Sequence, residues 1–355
     1  MTPGLLSSGA RTGSAPLSGL CVVQRSPLGP WLVTDREPLP QPEAEGWVRL
    51  VVEACAPSLE ELAGAAEPAT GACFPRVPGG VLVGRTEAGR RLLCGGFLPC
   101  GACSACQGAQ HLACLAPRRP GLDVPGGFAR ETLLPESFLA PGLPDGANVA
   151  EVVVLLALAG PTYQATATVG MVPGDVVVFF GPVGPGALPL QTLRAAGLRP
   201  HWVHPMASTA AAPPGCSVSH AAPEPGDLPG GRYHLLDLDP AAPSLEASER
   251  LRREARSWTF ASAALRVGDG ASAALPRLLE GGAPLRWIRS LHPQLALELA
   301  AMVVHRRVEV ASWIEPLTLQ ELAARGAAFA HERAERWPVY LAQTPDPGLP
   351  SPAVD

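Results

Sequence analysis

Residues 172–197 read VPGDVVVFFGPVGPGALPLQTLRAAG. An apolar run, DVVVFF, is followed by a glycine-rich turn and then by a helical pattern that ends at Gly197. A buried strand, a glycine turn and a helix in this order open a parallel α/β sheet. Further strand-like runs follow at 201–204, 233–238 and 258–261. This half of the chain is therefore predicted to be a doubly wound domain.

The preceding part of the chain has a different pattern of apolar and turn-forming residues. Between residues 19 and 144 the apolar runs are short and separated by glycine and proline, as at 47–52 and 81–83. Short runs with frequent turn residues favour strands over helices. We therefore predict a mostly β domain ahead of the sheet domain, and an α/β class for the whole chain.

Composition excludes several kinds of chemistry. None of the 27 basic residues is a lysine, so a Schiff base or a phosphate-loop lysine is excluded. The net charge of −5 and the scattered arginines do not form the basic stripe that nucleic-acid binding requires. The longest apolar run, at 152–160, is about half of the roughly 20 residues in a membrane span. We expect a cytoplasmic protein that binds neither nucleic acid nor membrane.

Four cysteines lie within one short segment, PCGACSACQGAQHLAC at 99–114. Their spacing allows four thiolates to surround a zinc ion tetrahedrally. The predicted ligands are Cys100, Cys103, Cys106 and Cys114. Four protein ligands leave no open position for a substrate, so this zinc would fold a loop rather than catalyse. The alternative is a loop of four free thiols, or of disulfides, that holds no metal.

The cysteine loop, GGFARETLLP at 126–135 and the stretch at 172–197 together resemble the zinc alcohol dehydrogenase branch of the medium-chain dehydrogenase/reductase superfamily. The resemblance covers nearly the whole chain. It implies a GroES-like β domain, a Rossmann domain with a doubly wound parallel sheet, an NAD(P) coenzyme, a small-molecule substrate and a possible homodimer. The implied domains are a GroES-like domain at 17–150, with its zinc loop at 100–114, and a Rossmann-like domain at 151–310. A segment at 311–343 returns to the first domain. The two ends of the chain are predicted to be a flexible N-terminus at 1–16 and a Pro-rich tail at 344–355.

Members of this family that use a catalytic zinc need ligands that this chain lacks. Ser58 stands where the resemblance implies a cysteine, and a neutral hydroxyl is a poor zinc ligand. Gly80 and Val81 stand where it implies histidine and glutamate, and no ligand lies near Ala157. Residues 1–110 contain no histidine at all. We therefore predict no catalytic zinc and assign no catalytic residue.

Three side chains near Ser58 remain conceivable ligands. Cys55 lies at a strand end and is more typical of a small buried residue. Glu60 and Glu61 lie in SLEELAG, which predicts a short helix with a solvated acidic face. His111 lies inside the zinc loop and is predicted to be a surface side chain rather than a replacement ligand, because four thiolates already suffice.

The predicted coenzyme-binding residues are Gly181, Gly184 and Gly186. A dinucleotide turn needs one glycine for the bend, one for the approach of the pyrophosphate and one for helix packing. The second of these positions is Val183, whose branched side chain occupies the approach. At the end of the next strand His204 stands where an acidic residue would bind the ribose. NAD(P) binding therefore stays open.

Two functions remain compatible with these residues, and whether the protein is an enzyme stays open. The leading hypothesis is an alcohol dehydrogenase-like protein that keeps the structural zinc, has lost zinc-dependent chemistry and acts by binding or scaffolding. The alternative is a zinc-independent NAD(P)H-dependent oxidoreductase that reduces an enone, a quinone or a cyclic acyl-CoA, with Tyr163 as a conceivable proton donor. Asp237 and Asp239 end a strand at the edge where ligands bind in such sheets, although turn capping also explains them. A zinc ribbon that grips a partner is disfavoured because the loop lacks basic surroundings.

Overall fold

The computed structural model describes residues 19–26, 29–35, 46–59, 61, 74–144, 146–181, 187–204, 212–228, 233–238, 251, 255–260, 285–288, 291–326 and 336–342. Two sheets organise these residues, and each is built from a different part of the chain. A separate antiparallel pair, β1 (Leu20–Gln24) and β2 (Trp31–Asp35), lies at the N-terminal side.

The first sheet has seven strands. Their bounds are Trp47–Ala56 for β3, Val81–Arg85 for β4, Arg91–Gly95 for β5, Glu131–Pro135 for β6, Ala140–Pro141 for β7, Ile314–Leu317 for β14 and Trp337–Leu341 for β15. Six run in the order β14-β15-β3-β4-β5-β7, and β6 also pairs with β3. The pairs are antiparallel except β14 with β15. Strands from the end of the chain thus extend a sheet that begins near its start.

The second sheet is parallel throughout. Its strands are Val176–Phe180 (β8), Arg199–Val203 (β9), Ser217–Ser219 (β10), Tyr233–Asp237 (β11), Ser257–Phe260 (β12) and Leu285–Trp287 (β13). They lie in the order β10-β9-β8-β11-β12-β13. Numbered within the sheet, this is the doubly wound order 3-2-1-4-5-6, whose ligand crevice lies between strands 1 and 4. The predicted α/β class with a doubly wound sheet is confirmed, and the crevice position falls between β8 and β11.

The α-helices of the described residues are Ser104–Gln107 (α1), Val149–Val169 (α2), Ala187–Ala195 (α3), Pro293–Val304 (α4) and Leu319–Arg325 (α5). Helix α2 begins at Asn148, whose side chain accepts a hydrogen bond from the backbone N–H of Ala150 at 3.1 Å, and it ends at Gly170 with a φ of +67°. A polar N-cap and a left-handed glycine are the usual limits of a helix. Helix α2 joins the two halves of the chain, because its buried residues pack in one cluster with α4 and with β3 and β4.

Helix α2 is also long and apolar enough to cross a membrane by length and composition. It has 21 residues, and its most apolar 18 have a mean hydropathy of 1.5, so the apolar segment is longer than the run at 152–160 indicated. However, 72 % of these 18 residues are buried inside the protein. Such burial is typical of a core helix, which passes the same test of length and composition.

Candidate metal centres and coenzyme edge

The four predicted zinc ligands lie together in the loop between β5 and β6. Their Sγ atoms all lie within 4.8 Å of one another. The distance is 3.5 Å from Cys103 to Cys106, 3.9 Å from Cys100 to Cys106 and 4.0 Å from Cys103 to Cys114. Zn–S bonds of about 2.3 Å in a tetrahedron set sulfur–sulfur distances of roughly 3.8 Å. The cluster therefore fits a structural zinc ion, and none of the four cysteines is in a disulfide.

Backbone amides of the loop favour thiolates. The N–H of Cys100 donates to Cys114 Sγ at 3.2 Å, and the N–H of Cys103 donates to Cys100 Sγ at 3.4 Å. The amides of Leu115 and Cys106 lower the pKa of Cys103 to about 6. Burial raises the pKa of the Cys106 thiol to about 12. The loop alone thus stabilises part of the negative charge, and a divalent cation would stabilise the rest.

The backbone turns sharply between the first two cysteines. Gly101 has a φ of +74°, a conformation that favours glycine, and it lets Cys100 and Cys103 face one another. The ring of His111 packs edge-on against Phe138, with 5.5 Å between the ring centroids. His111 is not a member of the thiol cluster, and its side chain is half-buried rather than fully on the surface as predicted.

The positions at which the resemblance implies catalytic-zinc ligands offer no metal-binding group. Ser58 uses its hydroxyl to accept a hydrogen bond from the backbone N–H of Glu61 at 3.1 Å. Gly80 has no side chain. Val81 is an apolar residue that is 2 % exposed, and Ala157 is 3 % exposed in the same core cluster around α2. These residues do not fit a catalytic zinc ion.

The prediction for Glu61 is wrong, because this residue is 2 % exposed rather than on a solvated helix face. Its carboxylate accepts three backbone hydrogen bonds: from Gly79 to Oε1 at 2.6 Å, from Gly80 to Oε2 at 2.6 Å and from Ser58 to Oε2 at 2.7 Å. Burial raises the pKa of Glu61, and the amides oppose this rise. Glu60 lies outside the described residues.

Glycines make room for this carboxylate. A Cβ atom at Gly80 would lie 2.7 Å from Glu61 Oε2 and 2.8 Å from the backbone oxygen of Pro120. A Cβ atom at Gly121 would lie 2.2 Å from Glu61 Oε1. A histidine at position 80 would therefore require both the Glu61 carboxylate and the Pro120 backbone to move.

Cys55 and Arg76 belong to the same buried region. Cys55 is fully buried, as predicted, and burial together with the charge of Glu61 holds the pKa of its thiol well above the usual range. Arg76 is 3 % exposed, and its Nε donates to Gln24 Oε1 at 2.7 Å. The positive charge of Arg76 lowers the pKa of Glu61 and so compensates part of the cost of burial. Cys55 is therefore a neutral thiol, and the ionised Glu61 is stabilised by amides and by Arg76.

Of the predicted coenzyme-binding glycines, Gly184 and Gly186 lie outside the described residues, and Gly181 directly follows β8. A Cβ atom at Gly181 would lie 2.3 Å from the ring of Phe179. The carbonyl oxygen of Gly181 accepts a hydrogen bond from Trp202 Nε1 at 3.0 Å. Side-chain packing therefore already requires a glycine here, whether or not a coenzyme binds.

The second strand of the sheet ends without a ribose-binding acid. His204 follows β9 and donates its backbone N–H to the Ser219 carbonyl oxygen at 3.1 Å, and residues 204–212 contain neither Asp nor Glu. Across the crevice position, Asp237 is fully buried at the end of β11, and Asp239 lies outside the described residues. The described edge thus has the sheet topology of a dinucleotide site without the acid that usually recognises the ribose.

Tyr163, the conceivable proton donor, lies on α2. Its hydroxyl donates to Glu298 Oε2 of α4 at 2.8 Å. Burial and this carboxylate raise the pKa of Tyr163 to about 12. The phenol therefore links two helices and is a weaker acid than an ordinary tyrosine.

A buried polar network at the opposite edge of the parallel sheet has no equivalent in the sequence predictions. His234 Nδ1 lies 2.7 Å from Ser257 Oγ, and His234 Nε2 lies 3.2 Å from Asp175 Oδ2. Burial lowers the pKa of His234, so the neutral ring donates its Nε2 proton to the carboxylate and accepts from the serine. All three residues lie at the starts of neighbouring strands and are at most 9 % exposed, so the network ties the strands together away from the ligand crevice.

Comparison with known sequences gives short matches. No family model matches the chain. Two alcohol dehydrogenases of Geobacillus stearothermophilus are 32 % and 28 % identical to it over 102 residues, which is 29 % of this chain. The matched part spans 30 % of the length of these relatives.

Comparison with solved structures covers nearly the whole chain. A thermostable alcohol dehydrogenase of Pyrobaculum aerophilum matches with a TM-score of 0.69 at 15 % identity, over 92 % of this chain and 100 % of that one. Another structure of that protein holds cobalt and zinc. Galactitol-1-phosphate dehydrogenase of Escherichia coli matches with a TM-score of 0.68 at 15 % identity, over 91 % and 99 % of the two chains. Acetophenone reductase of Geotrichum candidum, in complex with NAD, matches with a TM-score of 0.68 at 17 % identity, over 93 % and 98 %. The chain therefore has the fold of the alcohol dehydrogenases of the medium-chain dehydrogenase/reductase superfamily, the resemblance that its sequence predicted.

Proposed function

We propose that this chain is an alcohol dehydrogenase-like protein that holds one structural zinc ion, carries out no zinc-dependent alcohol oxidation and acts by binding or scaffolding. One observation carries the proposal. The backbone N–H groups of Gly79 and Gly80 donate to the buried Glu61 carboxylate where the resemblance implies zinc ligands. A catalytic zinc would polarise an alcohol or carbonyl oxygen. Neither glycine nor the Ser58 hydroxyl replaces that Lewis acid.

The structural zinc would be held by Cys100, Cys103, Cys106 and Cys114. Its chemistry would be structural, because four thiolates complete the coordination sphere. The loop borders a groove of about 830 Å³ that is also lined by Trp47, Leu98 and Phe138. A zinc-stabilised loop next to a groove with both apolar and charged lining supports a binding role. The expected assembly is a homodimer, and the expected compartment is the cytoplasm.

The coenzyme-dependent alternative has one observation in its favour. The parallel sheet keeps the doubly wound order, and Gly181 follows β8 as the first glycine of a dinucleotide turn would. A hydride transfer without zinc would then depend on orientation between nicotinamide and substrate. The missing ribose acid after β9 weighs against this function.

The test is a titration of the purified protein with NADH and NADPH, followed by nicotinamide fluorescence and thermal shift, with zinc measured on the same sample. We expect one zinc per chain and no saturable coenzyme binding at millimolar concentration. Saturable binding with one zinc would favour the zinc-independent oxidoreductase, to be assayed with enones, quinones and acyl-CoA substrates. Two zinc ions per chain together with alcohol oxidation would overturn the proposal.

A further inference from the structure

We infer that the space left by the missing side chain at Gly80, where the resemblance implies a zinc ligand, is an anion-binding site, and that the chain fills it with the Glu61 carboxylate. The inference rests on the proposed loss of the catalytic metal. It adds that the site prefers a negative group, whereas a zinc site prefers a cation. The ligand that the site selects is therefore a carboxylate and not a metal ion.

The donors around the carboxylate come from two segments of the backbone. Gly79 and Gly80 offer successive N–H groups, one to each carboxylate oxygen, both at 2.6 Å. Ser58 adds a third N–H at 2.7 Å. Gly79 has a φ of +100°, which turns its N–H and the next one toward the same point. Successive N–H groups aimed at one point form a concave site for an anion.

The shape of the site matches a carboxylate group. Missing side chains at Gly80 and Gly121 leave the space that Oε2 and Oε1 occupy, since a Cβ atom would lie 2.7 Å and 2.2 Å from them. The backbone oxygen of Pro120 closes the space on another side. The lack of a Cβ atom at both glycines thus leaves space for each of the two carboxylate oxygens, so the space matches the shape of a carboxylate group.

The charges around the site also favour an anion. Arg76 is 3 % exposed, and its charge acts on Glu61. The two thiols that face Glu61, Cys55 and Cys94, are fully buried and stay protonated because burial raises the pKa of both. Once the Glu61 carboxylate is removed, a cation at this point would meet amide N–H groups and the positive charge of Arg76 instead of thiolates or imidazoles, so it would be repelled.

Truncating Glu61 therefore leaves a vacant site for a small carboxylate. Glu61→Ala removes the carboxylate but none of the three amide donors. We expect the variant to melt below the wild-type protein, and its melting temperature to rise saturably with added formate. Ligands that bind only the folded state stabilise it in this way. Chloride at equal ionic strength is expected to give no such rise, and ZnCl₂ or CoCl₂ is expected to give no rise beyond that of the wild-type protein, which has the same four-cysteine loop.

Glu321→Ala is the matched control. Glu321 makes the same local contacts as Glu61, since its carboxylate accepts from Thr318 N at 2.8 Å and its N–H donates to Thr318 Oγ1 at 3.2 Å. Glu321 is exposed and has no second group of amides from another part of the described chain. This variant should lose a helix cap only, and formate should not restore its melting temperature.

The outcomes separate clearly. Formate stabilisation confined to Glu61→Ala supports the site, whereas equal stabilisation of both variants, or stabilisation by cobalt that Glu61→Ala shows and Glu321→Ala does not, overturns it. If Glu61→Ala does not fold without a ligand, its yield of folded protein is measured after refolding from urea in formate and in chloride. A higher yield in formate supports the inference, and equal yields would overturn it. Glu61→Gln must also melt below wild type, since its amide would face the Gly79 N–H. A wild-type count of two zinc ions would refute the proposed function instead, independently of these variants.

Discussion

Alanine at position 80 should strongly destabilise the protein, because the space for its methyl group is already filled. The new Cβ would lie 2.7 Å from Glu61 Oε2 and 2.8 Å from the Pro120 oxygen, whereas ordinary contacts begin at 3.4 Å. Both neighbours would have to retreat by about 0.6–0.7 Å to reach that limit. The retreat of Oε2 also stretches the hydrogen bonds from Gly80 and Ser58.

The expected cost follows from these two effects. Overpacking a buried site costs about 1–3 kcal/mol. Weakening hydrogen bonds to a buried charged group adds about 1.5–3 kcal/mol. The lower chain entropy of alanine in the unfolded state returns about 0.4–1 kcal/mol. We therefore expect Gly80→Ala to lose about 3 kcal/mol, which lowers Tm by roughly 6–12 °C in a protein with domains of this size.

The assay is thermal unfolding of wild type, Gly80→Ala and Gly226→Ala under the same conditions. Gly226 is the control because a Cβ atom there would meet nothing within 4 Å and its φ is not in the left-handed region. We expect Gly226→Ala to match wild type or to exceed it slightly. If Gly80→Ala melted within about 2 °C of Gly226→Ala, less than about 1 kcal/mol would separate them and the crowding argument would fail.

Four further predictions concern the rest of the structure. Cys103→Ser should lower the zinc content below one per chain and reduce the melting temperature, because removing one thiolate opens a closed site. Chelation of zinc from the wild-type protein should reduce the melting temperature in the same direction. Stability should fall as pH drops below the ordinary His value of 6.5, because burial lowers the pKa of His234 and the unfolded chain takes up a proton first. Trp202→Phe should cost about 2–4 kcal/mol, measured by urea denaturation, since the Gly181 carbonyl loses its buried partner and the smaller ring leaves a cavity at a fully buried position.

Control variants or contradicting results test these predictions. Cys216→Ser changes a cysteine outside the thiol cluster and should leave the zinc content unchanged. His234→Gln should flatten the fall in melting temperature below pH 6.5, and an unchanged pH profile would contradict the role of His234. Trp202→Phe with wild-type stability would show that the hydrogen bond to Gly181 contributes nothing measurable.

Local patterns in the sequence were enough to predict a good part of the fold. DVVVFF became β8 because β-branched and aromatic residues suit a strand that is buried on both faces, and all five residues of Val176–Phe180 are buried. The cysteine cluster was predictable because its members are close in sequence, so that spacing alone constrains how far apart their sulfurs lie. The S-x-x-E pattern at 58–61 could also have indicated the contact between Ser58 and Glu61.

The burial of Glu61 could not be predicted in the same way. Its other two donors, Gly79 and Gly80, are 18 and 19 residues away in the chain. An acidic residue on a short helix is ordinarily solvated, and only the return of the chain toward the same point ahead of β4 removes the water and supplies the amides. The His234 network has the same origin, since its partners Ser257 and Asp175 are 23 and 59 residues away.

The sequence by itself thus determined the α/β class, the strand–turn–helix pattern at 172–197, the grouping of the four cysteines and the lack of metal-binding side chains at the positions where the resemblance implies catalytic-zinc ligands. Only the tertiary structure decided that the space beside Gly80 is filled by the Glu61 carboxylate. It also decided that Gly181 is required for packing against Phe179. The physical reason is the range of the interactions. Periodicity and spacing act within one element or one loop, whereas the burial of a charge depends on donors and close contacts that distant segments bring together.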